Sequence, residues 1–254
     1  MKPRYDCILM LSGGKDSTYL AYKLDKQGRR PLAITVDVGF MADCAKDNIE
    51  LLKDDLHLDH LWVKSQPAAH AKVIEEFRGD TAAGLRDVCG SCTLLTMQTV
   101  LSIARDMDVK QLFCGFTKYS AFTSTKQAQV KLPGGFIYEN PYVASYNLPR
   151  MEAFLAMRGF TTDPTLTNCD HIREIIIRHT QRFGVNPYEE EFTALLDAKQ
   201  ITEEAFARMR AWCTPAEGEF PELGSVCVKE ARPARAEQMG APRGAPLGGL
   251  WMRA

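Results

Sequence analysis

Through the first hundred positions, short apolar runs alternate with stretches whose apolar residues recur at three- and four-residue spacing. That is the pattern of βαβ units in a doubly wound α/β domain, a parallel sheet covered on both faces. Cys7 to Leu11 (CILML) is a continuous apolar run fit for a strand buried on both sides. After a polar, glycine-bearing turn at 12–17, Leu20, Ala21 and Leu24 fall at helical spacing. Pro31 to Val36 reads as a second strand, Asp43 to Leu56 as a helix with Ile49, Leu52 and Leu56 on one face, and Leu61 to Val63 as a short third strand.

Further on, Thr93 to Met107 reads as a central helix with Met97, Val100, Leu101, Ala104 and Met107 as its core stripe, and Val109 to Gly115 as a fourth strand. From Tyr119 to Gly135 the pattern dissolves into polar and small residues, the expectation for a flexible loop over a site carrying Lys118, Lys126 and Lys131. Helical spacing returns over Met151 to Met157, Ile172 to Phe183, Pro187 to Leu196 and Thr202 to Trp212. Residues 232–254, rich in Ala, Pro, Gly and Arg without period, read as a flexible tail. The expected division is an α/β domain over 1–170, a small helical region over 171–231 and that tail.

Composition narrows the function classes. Of 254 residues, 45% are hydrophobic and 25% charged, with a formal net charge of -1, the profile of an ordinary globular protein. That balance disfavours a large RNA partner, which usually demands a basic excess. No apolar run approaches the roughly 18 to 20 residues that cross a bilayer, and the N-terminal residues carry no cleavage-site pattern, so the expectation is a cytoplasmic protein without a membrane partner. Eight dispersed cysteines in a reducing compartment read as core thiols, metal ligands or catalytic groups. Cys7 and Cys114, inside apolar runs, read as core.

The segment Ser12-Gly13-Gly14-Lys15-Asp16-Ser17 stands between a buried strand and a helix. Two glycines let the backbone turn tightly and present N–H groups to an anion, and the helix that follows adds the positive end of its dipole. Ser12 and Ser17 add hydroxyls, and Lys15 adds a point charge able to meet charge developing on a leaving group. Asp16 repels phosphate, so it serves either Mg²⁺ or the fixing of the loop.

This hexapeptide resembles the SGGxDS signature of the PP-loop ATP pyrophosphatases, an adenine-nucleotide α-hydrolase-like superfamily. The resemblance covers about residues 5 to 170 and implies ATP as cofactor: a substrate oxygen attacks the α-phosphorus, pyrophosphate leaves, and a nucleophile then displaces AMP. Within that superfamily, Tyr5-Asp6-Cys7-Ile8, Ser17-Thr18-Tyr19-Leu20-Ala21-Tyr22, Arg30-Pro31-Leu32-Ala33 and Asn48-Ile49-Glu50 are similar to the N-acetyl sugar amidotransferase branch, which takes ammonia from a partner glutaminase. The chain departs from that branch in carrying its cysteine pair at 89 and 92. The likeness implies that Val36 and Asp37, at the end of the second strand, contact the nucleotide, and that Gly115 and Thr117, at the end of the fourth, close its pocket.

Cys89-Gly90-Ser91-Cys92 is placed just before the central helix, where the helix dipole is expected to lower the thiol pKa. The pair alone is compatible with zinc, a redox couple or an iron–sulfur cluster. Cys169, in Thr167-Asn168-Cys169-Asp170-His171, resembles the distant third cysteine of the Fe–S-dependent thiolases of the superfamily. That resemblance implies a [4Fe-4S] cluster on Cys89, Cys92 and Cys169 with one iron left open for sulfide, while His171 as a fourth ligand would give closed zinc instead. Without metal, Cys89 and Cys92 remain persulfide carrier and resolving thiol. The expected function is adenylation of a carbonyl oxygen on a small molecule or nucleotide followed by sulfur transfer, with a sulfur donor protein or a glutaminase subunit as partner and a homodimer compatible with the chain. Amidation and a non-catalytic nucleotide sensor are the alternatives.

Overall fold

A computed structural model describes residues 4–64, 67–78, 85–120 and 127–215, with only the backbone at 67 and 85–87. The 232–254 tail, the end of the expected helical region from 216 and Lys126 lie outside the described residues.

The elements run β1 (Cys7–Met10), α1 (Lys15–Lys26), β2 (Pro31–Asp37), α2 (Asp43–Leu56), β3 (His60–Lys64), α3 (Pro67–Arg78), α4 (Leu85–Asp106) and β4 (Gln111–Phe113). After β4 come β5 (Gln129–Leu132), β6 (Phe136–Glu139), α5 (Pro141–Ala144), α6 (Leu148–Ala156), α7 (Pro164–Thr167), α8 (Ile172–Phe183), α9 (Glu189–Asp197) and α10 (Glu203–Trp212). One six-stranded sheet has the order β3-β2-β1-β4-β6-β5, parallel throughout except for β5. The chain leaves β1 toward β2 on one side and returns to β4 on the other, so the crevice at the ends of β1 and β4 is the sheet's switch point.

Alternation along β1 divides the core. Cys7, Leu9 and Leu11 pack with Leu20, Ala21 and Leu24 of α1, Ile49 and Leu52 of α2, and Met151 and Leu155 of α6. Ile8, with Leu32 and Ile34 of β2, is buried at the alternate positions, and α4 contacts β2. At about 25 cal/mol per Å² of apolar area removed from water, this two-faced burial is the main force holding the sheet. No helix among the described residues is long and apolar enough to cross a membrane.

Three expectations are corrected. The segment 119–135 is not irregular throughout: from Gln129 it forms β5, antiparallel to β6 through a Pro133-Gly134-Gly135 turn with φ of 79° and 78° at the glycines. An edge strand with only two apolar positions leaves a faint periodic signal. The central helix begins at Leu85, so Cys89 and Cys92 lie within α4 and not ahead of it. Gly90 and Ser91 are poor helix formers, but buried Val88 anchors this turn against Ile74 and Phe77 of α3, and packing overrides propensity. Met107, placed on the core stripe, is 38% exposed beyond the helix end, whereas Val100, Leu101 and Ala104 are buried. The helix α3, unread in the sequence, carries His70, Ile74 and Phe77 at helical spacing on its buried face.

Candidate active site

The loop between β1 and α1 is held from three sides. Gly13 has φ +74°, and a Cβ there would lie 2.1 Å from the Ala45 carbonyl oxygen, so only glycine lets α2 approach this closely. From α2, buried Asn48 donates its amide to the Gly13 carbonyl and the Thr161 carbonyl, each at 2.8 Å, and accepts from Thr161 N–H at 2.9 Å. From below, a Cβ on Gly115 would stand 2.9 Å from Ser17 N, so the end of β4 needs glycine to seat the first turn of α1.

Inside the loop, the Ser17 hydroxyl accepts from Ser12 N–H and donates to the Gly14 carbonyl, both at 3.1 Å. Ser17 is thus buried and spent on closing the turn, whereas Ser12 is exposed at the cleft. Gly14, in extended conformation, is the N-cap of α1 and makes no side-chain bond, which leaves the helix terminus to a ligand. The loop's root is tied as well. Thr35 Oγ1 donates to the Leu11 carbonyl at 2.7 Å and therefore accepts from His60 Nε2–H at 2.8 Å. Burial holds the His60 imidazole down to about 4, so it is neutral.

Lys15 Nζ lies 3.0 Å from Asp16 Oδ2. Burial pulls the ammonium down, but Asp16, Glu152 and Glu191 together carry it above the usual lysine range, so it stays charged. Asp16 is gripped further: Tyr146 O–H donates to Oδ1 and Tyr142 O–H to the main-chain carbonyl, each at 2.9 Å. Burial and the Asp16 charge raise both phenols, which remain neutral donors. Burial also lifts Glu152 above the usual carboxylate range, against the pull of Lys15.

A cleft of about 820 Å³ runs from this loop toward α9 and α10. Ser12, Gly14, Lys15, Asp16, Ser17 and Val36 line the loop end, and Gly115 and Thr117 continue the wall. Thr117 Oγ1 accepts from Tyr119 and Ser120 N–H at 3.1 and 3.2 Å, fixing the chain as it leaves β4. Asp37 is not among the lining residues, and its carboxylate accepts from Gly39 N–H at 2.8 Å to cap a turn. Glu152, Glu191, Arg208 and Tyr146 line the cleft unforeseen, because the first three come from helices far along the chain and Tyr146 from the link between α5 and α6, with no motif around any of them.

At the other end, Cys169 lines the cleft and bridges Met41, pinned where Asp170 N–H donates to the Phe40 carbonyl at 2.9 Å. Cys89, Cys92 and Cys169 lie within electrostatic reach of one another. Their expected acidity is reversed: burial, then the neighbouring thiols, push Cys89 up to about 12 and Cys92 up to about 11, and burial raises Cys169 despite the His171 and Ile172 N–H groups. Desolvation outweighs the dipole because the pair sits inside the helix on an apolar seam and not at its terminus. Among the described residues no three His, Cys, Asp or Glu side chains are grouped to hold a metal ion. His171 is engaged elsewhere, its Nδ1 3.2 Å from Arg78 Nη2 and its ring against Phe40. The candidate cluster ligands are thus the three mutually near thiols of Cys89, Cys92 and Cys169, with His171 directed to Arg78 and Phe40.

No family model and no curated protein matches the chain. Among solved structures, the U34-tRNA thiolase NcsA from Methanococcus maripaludis, with its [4Fe-4S] cluster, aligns at a TM-score of 0.50 and 14% identity, over 83% of this chain and 72% of that one. The NMN synthetase from Francisella tularensis aligns at 0.48 and 17% identity, over 83% and 84%. The NH3-dependent NAD synthetase from Campylobacter jejuni aligns at 0.44 and 14%, over 84% and 85%. At such identities the likeness is one of fold: this chain has the adenine-nucleotide α-hydrolase-like fold, with the glycine-bent loop at its switch point.

Proposed function

We propose that the chain binds ATP at the Ser12–Ser17 loop and transfers its AMP to an oxygen of a small molecule or nucleotide, and that the activated carbon then receives sulfur. The observation that carries the first half is the loop itself: a helix N-terminus with no side-chain cap, an exposed Ser12 hydroxyl and a charged Lys15, all prefixed by buried bonds at the cleft mouth. Such preorganised donors need no rearrangement as charge builds, which is where electrostatic catalysis gains most.

In this reading the acceptor oxygen forms a bond to the α-phosphorus as the bond to the bridging oxygen breaks, and pyrophosphate departs with the electron pair. Lys15 neutralises the departing charge. Asp16, held toward the cleft by Tyr146, would meet the magnesium that accompanies ATP. Glu152, raised by burial and facing Lys15, suits accepting a proton from the acceptor. In the second half, the nucleophile forms its bond to the activated carbon as AMP leaves.

What supports sulfur over ammonia is the other end of the same cleft, where Cys169 reaches the lining and Cys89 and Cys92 stand behind it. These three would hold a [4Fe-4S] cluster, which when bound supplies an iron free to carry sulfide. The test is pyrophosphate release with candidate acceptors, using sulfide and ammonium as alternative nucleophiles on anaerobically purified protein whose iron and sulfide content is measured. Turnover by iron-free protein with ammonium alone overturns sulfur transfer in favour of amidation, and ATP binding without pyrophosphate release from any acceptor favours a sensor.

A further inference from the structure

Tyr146 lines a second cavity besides the cleft, about 500 Å³ in volume, between α1 and the segment from α5 into α6. Three cations converge on it: Lys23 and Lys26 from the end of α1, and Arg150 from the first turn of α6. Among the described residues no Asp or Glu lines the cavity, and none of the three cations forms an ion pair. Its floor is aromatic. Tyr19, half-buried, and Tyr142, buried with the Lys23 ammonium 5.0 Å from its ring centroid, put aromatic rings in the wall beside the charges.

Like charges that share a concave surface repel, and burial separately holds the Lys23 ammonium below the ordinary lysine range. An anion would reverse both costs. The first turn of α6 adds the positive end of its dipole, although its N–H groups are already taken, Leu148 N–H by Gln200 and Arg150 N–H by Asn147. A bare phosphate would leave most of such a volume to water, whereas a flat body on the tyrosines with a phosphate among Lys23, Lys26 and Arg150 uses both features of the cavity.

We propose that this cavity binds an aromatic organic phosphate and that its occupancy is felt at the Ser12–Ser17 loop. The path is short: Tyr142 and Tyr146, which line the cavity, donate the two hydroxyl bonds that hold the Asp16 carbonyl and carboxylate. This second half rests on the loop being an ATP site; the first does not.

The test is titration calorimetry of the full chain with phenyl phosphate while a nonhydrolysable ATP analogue and magnesium saturate the loop. One equivalent is expected to bind, weakened at least about tenfold by Lys23→Met or by Arg150→Glu, the latter at an exposed rim where folding is not at stake, and unchanged by Lys15→Ala. Binding in both variants within about twofold of the parent, or binding that Lys15→Ala or the ATP analogue abolishes, overturns the site. Inorganic phosphate binding as tightly as phenyl phosphate removes the aromatic floor from the proposal. A shift of about threefold or more in analogue affinity on adding phenyl phosphate, lost in Tyr146→Phe, is expected from the linkage, and a constant affinity overturns it. Should the loop take no ATP, the same titration without the analogue still decides the cavity.

Discussion

The two ends of the cleft are built on opposite principles. At the loop end, polar groups are consumed in fixing the turn: Asn48, Ser17, Tyr142 and Tyr146 each spend hydrogen bonds within its six residues, and Thr35 on Leu11 at its root. At the cysteine end, Cys89 and Cys169 are held by apolar neighbours such as Phe40, Val88 and Ile172, and their thiols are protonated. The first end is finished before any ligand arrives. The second holds its thiols protonated, and a metal binding there would have to displace those protons.

Substitutions that break this contrast at the loop should have the largest effects. Lys15→Ala is expected to slow pyrophosphate release by about 10²- to 10³-fold with much less change in ATP affinity, measured by steady-state kinetics and calorimetry; an equal loss in both would make Lys15 a binding residue only. Gly13→Ala forces a side chain into the Ala45 carbonyl at positive φ, and should cost at least about 2 kcal/mol in denaturant unfolding. Asn48→Ala strands two carbonyls and an N–H, with an expected loss of about 2 kcal/mol. Stability unchanged by this last variant would mean that the Asn48 bonds are dispensable to the loop.

At the cysteine end the contrast is sharpened by pH. The folded Cys89 and Cys92 thiols titrate near 12 and 11 against an ordinary value of 9.0, so the folded state holds protons that the unfolded state gives up. Their contribution is complete below pH 9.0, and stability is expected to fall as pH rises from there through the folded values. Urea unfolding from neutral pH upward checks this, and Cys89→Ala should show the shallower decline. The smallest expected effect is at Asp37, which caps its own turn: Asp37→Ala should cost about 1 kcal/mol and leave ATP-analogue affinity within about twofold. A tenfold loss would place its carboxylate on the nucleotide.

The sheet and the loop were legible because their signals are local. Cys7 to Leu11 is apolar whatever lies beside it, and Ser12 to Ser17 is a chemical word complete in six letters. Gly115 was read as part of the nucleotide pocket from its strand end, whereas its need for glycine comes from Ser17, 98 positions away by subtraction of the two numbers and invisible in sequence. Glu152 and Arg208 failed to register for the same reason, since an acidic or basic residue on a helix reads as surface until the fold turns it inward, and Tyr146 lies in a short link without periodicity. The thiols were found by spacing, but their pKa direction was misread, since only the packing around α4 reveals how far the apolar seam extends.

The Thr35–His60 tie gives the outermost parallel strand a purpose that its own surface conceals. β3 displays Leu61 and Trp62 to solvent and resembles trim at the margin of the sheet. Through one imidazole and one hydroxyl it acts as a guy-rope for the residue that launches the Ser12–Ser17 loop two strands away, so slackening the border of the sheet would loosen its centre.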